Sequence, residues 1–111
     1  MYNSEEGASA VNLGECSIGP VVVYYNGGCA FKHVEEFIGV EVVARYQDLE
    51  DKPPAVVKTR CGGGTVVLSG VHWEVGAEGA RGVGSPPEVI RQLEIGETNR
   101  NKFVKMILDL L

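Results

Sequence analysis

The chain has 111 residues, 44% of them hydrophobic and 23% charged, and a net charge of −5. That is room for one domain rather than two, in a composition that excludes wholesale disorder. The acidic balance, with no stretch of Lys and Arg forming a patch, argues against nucleic acid or an anionic membrane as partner, and no apolar run approaches the roughly 20 residues of a membrane span.

Residues 1–16 carry Asn, Ser, Glu and Gly with little periodicity and read as a poorly ordered lead-in to a domain spanning 17–111. Met1 to Gly7 is polar and acidic, so no secretory leader is expected. Residues 18–25 (IGPVVVYY) are β-branched and aromatic and read as a strand, its Val21-Val22-Val23 run implying burial on both faces. Asn26-Gly27-Gly28 then turns the chain. Cys29 to Phe31 is a candidate short strand that pairs back.

A second clear strand covers 40–46 (VEVVARY), followed by a polar loop to Pro54. Residues 55–61 (AVVKTRC) and 65–72 (TVVLSGVH) flank Gly62-Gly63-Gly64, a β-hairpin pattern expected at the heart of a four- or five-stranded sheet. Residues 76–84 hold four glycines and no apolar pattern and read as a mobile loop. Ser85-Pro86-Pro87-Glu88 looks like a helix start, with Ser85 as cap, Pro86 at the first helical position and Glu88 completing a capping box. Val89, Ile90 and Leu93 would face the core. Gly96 ends that helix and Thr98 caps a last one, on which Phe103, Met106, Ile107, Leu110 and Leu111 form an apolar stripe.

The chemistry-bearing residues are few. His72 and Glu74 fall on one side of an extended chain, so the carboxylate can orient the imidazole as a general base. The plain alternative is a surface pair at a strand end. A nucleophile for that base belongs on a strained strand-to-helix turn. Cys16 precedes Gly19-Pro20, Cys29 runs on into Ala30-Phe31, and Cys61 closes a strand, so none fits. Each reads instead as a buried or partly buried small residue, a free thiol of a reducing compartment, which places the chain in the cytoplasm. No Cys-x-x-Cys or close His pair is present, so no metal or other cofactor is expected. The triple glycine lacks the Lys and helix of a phosphate-binding loop.

Tyr24-Tyr25-Asn26-Gly27-Gly28-Cys29 is similar to the tyrosine–asparagine–glycine–glycine–cysteine segment in the amidotransferase-like domain of biotin–protein ligases, including holocarboxylase synthetases. The resemblance runs on through Val42 to Tyr46, Ala55 to Val57 and Thr65 to His72, into the final helix from Asn101, and covers about residues 17–111. It implies an α/β fold, a partial flavodoxin-like (class I glutamine-amidotransferase-like) domain with a central β-hairpin and two C-terminal helices. His72 and Glu74 match the family's catalytic His and Glu, with Trp73 where proline is usual. Asn26, Gly27, Gly28 and Cys29 form a candidate binding loop.

The family's cysteine elbow lies on an earlier half of the domain, and the ligase's adenylate-binding motifs are absent from this sequence. The resemblance therefore implies a non-catalytic accessory or regulatory module, with a ligase catalytic domain or a biotin-accepting carboxylase domain as partner. The alternative is a cysteine-dependent amidotransferase or hydrolase that uses His72 and Glu74 with a cysteine from this or a partner chain.

Overall fold

A computed structural model describes residues 8–14 and 18–111. The described residues form strands β1 (Ser9–Gly14), β2 (Val21–Tyr25), β3 (Glu41–Tyr46), β4 (Pro54–Cys61) and β5 (Gly64–Ser69), a 3-10 turn at Val34–Glu36, and helices α1 (Ala77–Gly82), α2 (Pro87–Ile95) and α3 (Glu97–Leu110). The strands form one sheet in the order β2-β1-β3-β4-β5, and every pairing is antiparallel. Short connections force this: a two-residue turn joins β4 to β5, whereas parallel neighbours need a crossover of a dozen or more residues. The chain is α/β, but its sheet is not the parallel one that a flavodoxin-like domain would carry.

The order also moves the 54–69 hairpin from the expected centre to one edge. No strand among the described residues pairs beyond β5, and β1, where a poorly ordered lead-in was expected, joins the opposite half of the sheet. Val11 and Leu13 are fully buried there, and β1 inserts between β2 and β3. A six-residue strand with only two large apolar side chains gives a weak local pattern, and tertiary burial decides it. Cys29 to Phe31 forms no strand, although the Phe31 amide donates to the Pro54 carbonyl at 3.0 Å.

The double burial read from Val21-Val22-Val23 is real. Val21, Val23 and Tyr25 join the main core with Val11, Leu13, Ala44, Tyr46, Val56 and, from α3, Phe103 and Ile107. Val22 and Tyr24 point the other way, into a second cluster with Ala80 of α1 and Val89 and Leu93 of α2. The β1–β2 half of the sheet is thus covered on both faces. Of the terminal stripe, Phe103 and Ile107 are fully buried, Met106 and Leu110 pack at the margin, and Leu111 is exposed.

Three helices replace the expected two, because residues 77–82 form α1 rather than a mobile loop. Fully buried Ala80 anchors it, and Arg81 pairs with Glu94 of α2. The capping box before α2 does not form. Pro87 drives the residue before it out of the helical region, Pro86 sits at φ −57°, ψ 145°, and the helix begins one residue late with Ser85 beyond its cap. Likewise Gly96 is the joint between α2 and α3, so Thr98 lies inside the first turn instead of capping it.

The outer edge of β2 is sealed. Its outward carbonyls at Pro20, Val22 and Tyr24 accept in turn from Asn99 Nδ2 (3.0 Å), Arg100 Nη1 (3.3 Å) and the His72 amide (2.8 Å). Arg100 is 3% exposed and also donates to the Leu93 carbonyl at 2.8 Å, closing the end of α2. Burial lowers its pKa, and the nearby Glu97 carboxylate partly offsets this. No helix among the described residues is long and apolar enough to cross a membrane.

Candidate functional site

The site is built where the chain leaves β5 and reaches across to β2. The Gly70 amide donates to the Ala55 carbonyl at 2.8 Å, which continues the β4 pairing for one more residue. Ser69 Oγ brackets Val71, accepting from its amide at 3.2 Å and donating to its carbonyl at 2.7 Å. The His72 amide then meets Tyr24 as an isolated bridge, so the chain from one edge of the sheet closes on the other and the sheet curls.

Two loops must nearly touch for this to happen. A Cβ on Gly28 would stand 1.7 Å from the Gly70 carbonyl oxygen, and one on Gly70 would stand 1.9 Å from the Cys29 carbonyl oxygen. Only glycine fits at either position. Tyr46 Oη donates to the Cys29 carbonyl at 2.6 Å from the core side, and Tyr25 Oη donates to the Gly28 carbonyl at 3.1 Å. Two buried tyrosines therefore fix the Asn26-to-Cys29 loop against the chain that carries His72.

His72 Nδ1 lies 2.9 Å from Glu74 Oε1. The carboxylate is acceptor only, so Nδ1 carries the proton and, in the neutral ring, Nε2 is left with its lone pair. The pairing comes from a turn rather than from strand alternation: the Val75 amide bonds the His72 carbonyl at 3.3 Å and folds Glu74 back. Both side chains are about half exposed, 48% and 58%. Trp73, between them in sequence, packs against the main core.

The imidazole meets the Tyr24 ring edge-on, with centroids 5.9 Å apart. Beside it runs an open groove of about 380 Å³, lined by Tyr24, Asn26, His72, Val75, Gly79 and Val83. Tyr24 is 7% exposed. The groove thus brings an imidazole, a largely buried tyrosine and an amide side chain together with two valines.

Of the residues singled out in the sequence, His72, Glu74 and Asn26 come together. Gly28 holds the two loops in contact, and Gly27 belongs to the turn. Cys29 and Cys61 are exposed rather than buried or partly buried as expected, because each lies on a loop or hairpin end away from the core, and neither hydrogen-bonds to the His72 ring. Cys61 pairs with Gly64 at the far end of the hairpin, five residues along β4 from the Val56–Ser69 pair. Cys16 lies outside the described residues. Among the described residues no group of three or more His, Cys, Asp or Glu could hold a metal ion. Tyr24 and the α1 wall went unnoticed in the sequence because residues 76–84 read as loop. Ala77 and Ala80, apolar at helical spacing, were the available signal.

The family described as biotin-protein ligase, N terminal, matches residues 1–111. The chain belongs to this family. It is 39% identical over 84 residues to a biotin–protein ligase of Schizosaccharomyces pombe, a match that takes in 71% of this chain and 13% of that protein. It is also 42% identical over 74 residues to an uncharacterized protein of Chlamydia muridarum, covering 66% of this chain and 29% of that protein. The chain therefore spans less than a third of either relative. No solved structure matches it.

Proposed function

We propose that this chain is a non-catalytic accessory or regulatory module of a biotin–protein ligase, corresponding to the C-terminal half of an amidotransferase-like domain. One observation carries the reading: His72 and Glu74 are paired at 2.9 Å beside a groove, yet neither described cysteine bonds to the imidazole. A base and its orienter without a nucleophile can bind a hydrogen-bonding group but cannot form an acyl-enzyme. Membership of the biotin–protein ligase N-terminal family supports the link to a ligase. A ligase catalytic domain or a biotin-accepting carboxylase domain is the partner this reading implies, in the cytoplasm.

The test is transfer of biotin. Purified chain incubated with biotin, ATP and an acceptor carboxylase domain is expected to leave the acceptor unmodified. Any turnover by the chain alone overturns the reading.

The second reading is a cysteine-dependent amidotransferase or hydrolase that recruits a thiol from this or a partner chain. The free Nε2 of His72, held in the correct tautomer by Glu74, is what favours it. Labelling with an electrophilic glutamine analogue separates the two: a cysteine modified faster than a free thiol at neutral pH supports this reading.

A further inference from the structure

Between the loop that follows β2 and the loop that joins β3 to β4 lies a second groove, of about 640 Å³. It shares no lining residue with the groove beside His72. Its residues sort by chemistry. Ala30, Phe31, Leu49 and Pro53 are half-buried and give it an apolar floor, in which Ala30 and Leu49 rest on the main core. The rim is exposed and charged, and the signs are separated. Lys32 and His33 stand on the first loop, Glu50 and Asp51 on the second.

His33 Nδ1 lies 3.6 Å from Glu36 Oε1 on its own side of the groove. Among the described residues no ion pair joins the two sides. Opposite charges that line one groove without meeting leave a gap with a positive and a negative side. A molecule that carries both charges can bridge it.

Both loops hold a costly backbone. The Phe31 amide donates to the Pro54 carbonyl at 3.0 Å and ties the loops together at their base. The Lys52 amide donates to the Leu49 carbonyl at 3.0 Å, and the Lys52 carbonyl accepts from Arg45 Nη1 at 3.2 Å. Among the described residues, His33 (φ 59°) and Lys52 (φ 44°) are the non-glycine residues with left-handed backbone, and one lies on each loop. A side chain disfavours that conformation. Such residues persist where their surroundings fix them, and they gather at ligand clamps.

We propose that this groove binds a small zwitterion, with an apolar body on the floor, a carboxylate against Lys32 and an ammonium against Glu50 and Asp51. Charge selects this class. A simple anion would face Glu50 and Asp51, and a simple cation would face Lys32. A molecule of zero net charge is also not repelled by a chain that carries −5. The volume is in the range of small-molecule sites. A free amino acid with an apolar side chain and a dipeptide of such residues share this chemistry. The rim is exposed, so each charge pair adds little and the Kd is on the order of 10⁻⁴ to 10⁻³ M. The proposal is independent of the His72–Glu74 reading.

Titration of the full chain with L-leucine and with L-leucyl-L-leucine, followed by amide chemical shifts, tests this. Phe31, Lys32, Glu50 and Asp51 should shift and saturate below roughly 10 mM with at least one of the two probes, given that Kd range. The tighter probe tells whether the groove takes an amino acid or a dipeptide. N-acetylation or C-terminal amidation of that probe removes one charge, and each should weaken binding about threefold or more. The double variant Glu50→Gln, Asp51→Asn should weaken it to a similar degree. Glu78→Gln, at an exposed acid on α1, should bind like the wild type. The blocked probes keep the test independent of how the variants fold. Failure of both probes to saturate, equal binding of the blocked forms, full affinity in the double variant, or shifts centred on Tyr24 and Val83 would overturn the proposal.

Discussion

Gly28 and Gly70 face one another across the junction of two loops so closely that a Cβ on Gly28 would stand 1.7 Å from the Gly70 carbonyl oxygen. This contact lets the chain leaving β5 cross to β2, and it sets His72 beside Tyr24 and Asn26. The obstruction is backbone on both sides, so no side-chain rotation relieves it. Gly70→Ala and Gly28→Ala should each cost about 1–3 kcal/mol through forced backbone movement. For a domain near 100 residues that lowers Tm by roughly 5–20 °C. The His72 amide, bonded to Tyr24, should exchange faster in both variants. An unchanged melting curve would show that the loops are free to separate.

Arg100 couples α3 to the β2 edge and to the end of α2 through the Val22 and Leu93 carbonyls. Arg100→Met keeps much of the apolar stem and removes both donors. It should cost about 1–3 kcal/mol for carbonyls left unpaired in a buried place, partly offset because a buried charge is removed with them. The shift in denaturant midpoint measures this. A midpoint at or above the wild-type value would mean that desolvation of the guanidinium outweighs its two hydrogen bonds.

Phe103 is fully buried between α3 and the main core. Phe103→Ala should cost about 3–5 kcal/mol. A domain of this size holds only about 5–15 kcal/mol in total, so the variant should be insoluble or lack a cooperative melt. Leu108→Ala, at a residue 60% exposed on the same helix, should stay within about 0.5 kcal/mol of wild type. A cooperative melt of Phe103→Ala within a few degrees of wild type would contradict the placement of α3.

What was legible in the sequence follows the strength of local pattern. Val21-Val22-Val23 announced a strand buried on both faces, and the triple glycine announced the β4–β5 turn. Phe103 and Ile107 announced the packed face of α3. β1 was hidden because Ser9–Gly14 carries only Val11 and Leu13 as large apolar groups and owes its place to neighbours distant in sequence. α1 was hidden by its glycines, and the one side chain that it buries fully is Ala80. The start of α2 was misplaced by one residue because the restriction Pro87 imposes on Pro86 outweighs the capping box. At the site, the His72–Glu74 spacing was readable, but the turn that creates the pair and the Tyr24 wall depend on tertiary contacts.

The His72–Glu74 pair is half exposed and should add little to stability, less than about 1 kcal/mol. His72→Ala should therefore fold and melt close to wild type, because the backbone bond to Tyr24 does not need the imidazole. A large loss of stability would give the pair a structural role in place of a vestigial catalytic one.

The central claim is that a base and its orienter stand here without a nucleophile. The alkylation rates of Cys16, Cys29 and Cys61, followed residue by residue at neutral pH in the wild type and in His72→Ala, test it most directly. None of the three thiols should react faster than a free cysteine, and His72→Ala should leave all three rates unchanged. One thiol that reacts faster in the wild type and is slowed by His72→Ala would mean that the imidazole activates a nucleophile, and that the chain is an enzyme.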